Sequence, residues 1–157
     1  MKDVPYFLPL EEAIQLSLEH PLSHATEQVN LDEAHQRILA EDLSSKVNDP
    51  PFDNSAMDGF AVRYEDTREA PSTLDIIAIS QAAAGDEQLS ITSGQAVRIM
   101  TGAPVPVGAD AIIPIEACTI DGNNVTLNQP SKPHFIRKRG ENIAKDQVGL
   151  EKGCYLT

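Results

Sequence analysis

The sequence predicts an α+β fold, in which short N-terminal helices precede a small β-rich domain. Three observations carry this. Apolar residues recur at helical spacing in two segments before residue 44. From Leu74 onward, β-type runs are separated at short intervals by Gly, Pro, Asn and Asp. Between them lies Pro50-Pro51-Phe52-Asp53-Asn54-Ser55-Ala56-Met57-Asp58-Gly59-Phe60-Ala61-Val62-Arg63, where small, polar and φ-flexible residues sit between apolar runs.

Pro9 to His20 places Leu10, Ala13, Ile14 and Leu18 at helical spacing, with Glu11 and Glu12 in the first turn, where they complement the helix dipole. Pro21 is expected to stop this helix. Asn30 to Leu43 reads as a second amphipathic helix, with Leu31, Ala34, Ile38 and Leu39 on one face and Asn30 or Asp32 as its cap. Arg37 falls on its polar side, a solvated position. Ala40 to Val47 leads out extended, and a domain boundary is expected near Val47. In the central stretch, Pro50 and Pro51 hold the entry extended by fixing φ, and Asp53, Asn54 and Ser55 can bond back to neighbouring amides. Strands are expected over Leu74–Ile79, Ala96–Met100 and Ala111–Ile115. A hairpin is expected at Asp121-Gly122-Asn123, between Cys118–Ile120 and Asn124–Leu127. Beyond Pro130 and Pro133, His134-Phe135-Ile136 leads into the basic run Arg137-Lys138-Arg139. Gly153-Cys154-Tyr155-Leu156-Thr157 reads as a strand starting after a turn, which suggests a piece of a longer chain.

Composition narrows the function classes. A chain of 157 residues can bury a core as one domain or two small ones. Its longest apolar runs fall far short of the roughly 18 residues that cross a bilayer. Met1-Lys2-Asp3-Val4-Pro5 lacks the basic and apolar regions of a signal peptide, so a cytoplasmic location is expected. The formal charge of −12 repels phosphate backbones, and 4% aromatic residues without tryptophan leave no base-stacking platform. Nucleic acid is not an expected partner. Cys118 and Cys154 lie far apart and outside any Cys-x-x-Cys pattern, so reduced thiols are expected.

Two loops could carry chemistry. Asp58 on a glycine turn can be offered into a cleft, yet Asp-Gly between apolar runs is also a strong hairpin signal, and spacing alone leaves both readings open. Thr101-Gly102-Ala103-Pro104-Val105-Pro106 could bind an oxyanion through its hydroxyl and amides, or simply end a strand. Arg137-Lys138-Arg139 could clamp an anion, although a solvated charge run is the favoured reading. Asp53, Asp58, Glu141 and Asp146 offer oxygens of the kind Mg²⁺ prefers, but their spacing does not bring them together, and no metal ligands are assigned. His20, His24, His35 and His134 form no ligand pair at i,i+4 spacing.

Together, Phe52–Val62, Arg98-Ile99-Met100-Thr101-Gly102-Ala103-Pro104-Val105-Pro106 and Arg139-Gly140-Glu141-Asn142-Ile143 resemble the molybdopterin molybdenumtransferase family, which includes bacterial MoeA and the gephyrin E-domain. Arg37-Ile38-Leu39-Ala40-Glu41-Asp42 is similar to the segment that precedes these motifs. The resemblance implies an enzyme that inserts molybdenum from molybdate into adenylylated molybdopterin and releases AMP, with Mg²⁺ assisting. It implies catalytic roles for Asp58 and Thr101, and substrate-binding roles for Ser55, Gly59, Gly102 and Asn142. It also implies an elongated stalk domain, formed by residues 1–46 and 147–157, with a small barrel-like β domain inserted as residues 47–146.

Two departures stand out. The third motif usually reads Gly-Glu-Asp, and Asn142 occupies the place of the aspartate; an amide keeps hydrogen-bonding capacity but loses the charge available to a cation. Gln36 stands where glycine is usual. The family's molybdopterin-binding domain lies beyond Thr157, and its cleft forms in a homodimer, between this β domain and the pterin domain of the other subunit. The chain alone is expected to hold half a site and to be inactive. The alternative is a non-catalytic dimerisation or interaction module that keeps the fold.

Overall fold

A computed structural model describes residues 7–20, 25–82, 88–130 and 134–157. They fall into two compact units, Met1–Glu41 with Lys152–Thr157, and Asp42–Glu151. Pro21, His24 and Pro133, singled out above, lie outside the described residues.

In the first unit, helix α1 spans Leu10–Glu19 with Glu11 and Glu12 in its first turn, in line with the expected periodicity. Its apolar side chains find no core: Leu10 and Leu18 are 70% and 69% exposed. The second expected helix does not form. Only a single 3-10 turn, Leu31–Glu33, remains, with the Asn30 N–H donating to Glu33 Oε2 at 3.3 Å. A helix from Asn30 to Leu43 would need its amides bonded four residues back and its apolar face buried. Instead Gln36 and Leu39 donate to the carbonyls of Leu156 and Cys154 at 2.8 and 2.9 Å, while Gly153 and Leu156 donate to those of Leu39 and Arg37 at 2.8 and 2.9 Å. Gln36 takes a left-handed φ of 64°, and Leu31 is 92% exposed. Pairing of residues 36–39 with residues 153–156 takes the backbone groups that the helix would have used. Arg37 stays at the surface, paired with Glu27 and donating from Nε to the Glu33 carbonyl.

The second unit holds every buried apolar side chain among the described residues. Its strands are β1 (Leu43–Ser44), β2 (Asn54–Ser55), β3 (Gly59–Val62), β4 (Ser72–Ser80), β5 (Gln95–Ile99), β6 (Ala111–Pro114), β7 (Cys118–Asp121), β8 (Asn124–Leu127), β9 (Ile136–Arg137) and β10 (Val148–Leu150). Six of them form one sheet in the order β6-β3-β5-β4-β8-β7, curled into a half-barrel. Only β4 and β5 pair in parallel. The three strands expected from the sequence correspond to β4, β5 and β6, and the expected hairpin is β7–β8, closed with Asp121 opposite Asn124. Two-residue ladders join β1 to β10 and β2 to β9.

The sheet buries apolar side chains on both faces. Phe60, Val62, Leu74, Ala96, Ile113, Val125 and Leu127 form one cluster; Ala61, Ile99, Ala103 and Ile112 form another. Alternation along β3 sends Phe60 and Val62 one way and Ala61 the other, so this strand is buried throughout and carries no polar side chain. The fold is mostly β with one α-helix among the described residues, so the α+β expectation holds only loosely. Among those residues no helix is long and apolar enough to cross a membrane.

Candidate functional site

Residues 53–58 run between two other segments and bind both. On one side Ser55 donates its N–H to Ala103 O at 3.0 Å, Gly102 donates to Ser55 O at 2.8 Å, and Val105 donates to Asp53 O at 3.0 Å. On the other side β2 pairs with β9, Asn54 opposite Arg137 and Ser55 opposite Ile136, and Ala56 donates to Phe135 O at 2.8 Å. Three sequence motifs, far apart along the chain, thus lie side by side. Asp58-Gly59 is not a hairpin turn, because β2 and β3 pair with different strands and not with each other.

Asp58 is exposed and engaged. Its Oδ1 accepts two hydrogen bonds from Thr101, one from the hydroxyl at 2.6 Å and one from the backbone N–H at 2.7 Å. The hydroxyl bond first, then the backbone bond, with a smaller contribution from the Arg98 charge, hold the carboxyl below the ordinary carboxylate range against slight desolvation. Asp58 is therefore an anion at neutral pH, with Oδ2 unpartnered among the described residues. The structure brings together the two residues expected to be catalytic, although 43 positions separate them.

The four expected substrate-binding positions take different places. Ser55 is buried, and its Oγ donates to Met57 O while accepting from Met57 N at 3.2 Å, which braces the loop from within. Gly59 lies buried under β6, where a Cβ would meet Ile113 O at 2.0 Å, so the close approach of two backbones dictates this glycine. Gly102, at φ 80°, turns the chain so that its N–H can reach Ser55 O. Asn142 is exposed, donates from Nδ2 to Asp49 Oδ2 at 2.8 Å and accepts from Arg137 Nη2 at 3.2 Å.

The basic run is more than a solvated stretch. Asp53 accepts from Lys138 Nζ and from the Arg139 N–H, both at 2.8 Å, and these two bonds, the lysine's first, lower its pKa. Both Asp53 oxygens are thereby committed, and Glu141 Oε2 accepts the Lys138 N–H at 2.7 Å. No group of three acidic, histidine or cysteine side chains is placed to hold a metal among the described residues. Asp49 and the Asp53–Lys138 pair escaped the sequence reading, since 93 and 85 positions separate the partners and no local pattern marks them.

With these contacts established, comparison with known proteins is decisive: residues 8–157 match the family model for the MoeA N-terminal region, domains I and II. The chain belongs to that family. A molybdopterin molybdenumtransferase of Haemophilus influenzae is 43% identical over 154 residues, covering 96% of this chain and 37% of the relative. One from Bacillus subtilis is 38% identical over 159 residues, with the same two coverages. A crystal structure of the molybdopterin biosynthesis moeA protein of Pyrococcus horikoshii OT3 superposes with a TM-score of 0.85 at 35% identity, covering 97% of this chain and 41% of that one. The chain thus spans 37% of the length of these molybdenumtransferases. Within this MoeA-type region, the bonds from Thr101 to Asp58 and from the Arg139 N–H to Asp53 draw together the same three motifs that carried the resemblance.

Proposed function

We propose that this chain supplies one wall of a cleft in which molybdenum from molybdate is inserted into adenylylated molybdopterin with release of AMP. The observation that supports this best is the pairing of Asp58 with Thr101, which fixes one carboxylate oxygen and leaves the other exposed. Molybdate and the phosphates of an adenylylated pterin are anions, so an ionised carboxylate facing them is repulsive unless a cation lies between. Mg²⁺ commonly binds through one or two carboxylates plus substrate oxygens, and Asp58 Oδ2 fits the part of a single protein ligand. When bound, the ion would offset the charge of the transferred groups. Thr101 holds the carboxylate in one orientation, and the backbone bonds of Ser55 and Gly102 fix the loops that carry the pair.

The second wall lies on a pterin-binding domain outside this chain, in a cytoplasmic homodimer whose stalk includes residues 1–46 and 147–157. The chain alone is expected to be inactive. The test is insertion by the full-length enzyme carrying Asp58→Ala, given adenylylated molybdopterin, molybdate and Mg²⁺. Insertion should fall while the melting temperature holds, and an unchanged rate would sink the assignment. Asn142 favours a second reading, an interaction module without catalysis, because its amide is bonded at both ends within the chain. A full-length protein that dimerises in sedimentation yet inserts no molybdenum would support that reading.

A further inference from the structure

We propose that Arg98 is a third member of the Asp58–Thr101 site and that its guanidinium contacts a tetrahedral oxyanion bound there. The inference rests on the reading above and names a residue that reading does not use. Arg98 lies on β5, three positions before Thr101, and directly opposite Phe60, two positions after Asp58. On its other side it faces Ile79 of β4. The same strand pairing that carries Thr101 to Asp58 therefore carries Arg98 to the site.

Its surroundings suit an anion. Phe60, opposite it, is fully buried and Arg98 itself is half-buried, a setting in which an arginine packs its apolar stem and keeps its charged head in water. Asp58 feels the Arg98 charge, but both hydrogen bonds to that carboxylate come from Thr101. Among the described residues Arg98 has no hydrogen-bond or ion-pair partner, whereas Lys138 spends its charge directly on Asp53. A guanidinium offers a planar fork of donors matched to oxyanion geometry. Asp58 alone would repel such a ligand; the Arg98 charge offsets that repulsion without removing the carboxylate. The chemistry is shared by molybdate and by a phosphoryl group.

The experiment uses the 157-residue chain, with sodium molybdate and sodium phosphate titrated separately against chloride at matched ionic strength. Binding is read by calorimetry and by the NMR signals of Arg98 Nε and the Thr101 amide. The expected result is a shift of both signals, with affinity about tenfold lower in Arg98→Gln, as for loss of one charge-assisted contact. Arg98→Lys keeps the apolar stem and the charge and should recover part of that affinity; its melting temperature controls for folding. A response to molybdate alone, or to phosphate alone, identifies the source of the oxyanion. Absence of binding by the wild-type chain, or equal affinity in wild type and Arg98→Gln, overturns the assignment. Activity of the full-length Asp58→Ala enzyme tests the function separately, so either proposal can fail without the other.

Discussion

Gly59→Ala isolates what the close contact of β3 and β6 contributes. A Cβ at this position would sit 2.0 Å from Ile113 O, 2.9 Å from Ile113 C and 3.1 Å from Pro114 Cα. A carbon–oxygen contact needs a little over 3 Å, so one backbone must withdraw by about 1 Å, against packing that tolerates little movement. Overpacking of side chains costs about 1–3 kcal/mol, and an obstacle made of backbone belongs at the upper end. Displacing β6 also weakens the ladder that pairs Phe60 with Ile113, at about 1 kcal/mol per hydrogen bond. Replacing glycine returns roughly 0.5–1 kcal/mol of backbone entropy. The net loss is about 3 kcal/mol, which for a unit the size of residues 42–151 lowers the melting temperature by about 13 °C. Thermal unfolding followed by circular dichroism measures it, and amide exchange in Ala111–Pro114 should rise with it. A fall of less than about 2 °C would show that the two strands separate easily and would refute the argument.

Three further outcomes are expected. Thr101→Val removes the hydroxyl bond to Asp58 and keeps the backbone bond, so the Asp58 pKa should rise toward its ordinary value; a carboxyl NMR titration with no movement would remove the hydroxyl as main cause. Lys138→Met should raise the Asp53 pKa and, because the pair is exposed, cost no more than about 1 kcal/mol at pH 7. The folded Asp53 pKa lies below its unfolded value, so its stabilisation is present above the ordinary carboxylate pKa and is lost as pH falls through the lowered folded value. Urea midpoints of wild type and Lys138→Met should therefore converge once pH falls below the lowered folded pKa, and a gap that persists there would point to lost packing instead. Hydrogen exchange should be fastest in Leu10–Glu19, where no residue is buried, and slowest in β3 and β5; the reverse order would mean that the helix is covered in solution.

Local chemistry made part of this structure legible. Glu11 and Glu12 ahead of Ala13, Ile14 and Leu18 mark the start and the apolar face of a helix locally, and Gly122-Asn123 closes β7–β8 through the turn those residues favour. Where distant pairing decides, the same reasoning fails. Leu31, Ala34, Ile38 and Leu39 have helical spacing, but residues 36–39 bond to residues 153–156, and local propensity is too weak to resist. At the site, spacing left Asp58 open between turn and functional group, because Thr101, which orients it, comes 43 positions later. Gly59 allows close approach of either a backbone or a ligand, and only the folded chain shows Ile113 O packed against it. Arg137-Lys138-Arg139 looked solvated because Asp53 and Asn142 are brought to it only by the folded chain.

The pairing of β1 with β10 has a consequence for how this protein can be taken apart and rebuilt. Leu43 lies opposite Leu150, so the second unit begins and ends at one clasp. A segment whose ends meet can be lifted out of one host and set into another without stretching either, since closing a short gap costs little chain entropy. Residues 42–151 carry the buried apolar core together with Asp58, Thr101 and Arg98. The register inside the clasp is thus set by residues 42–151 themselves, whatever sequence is joined to its two ends.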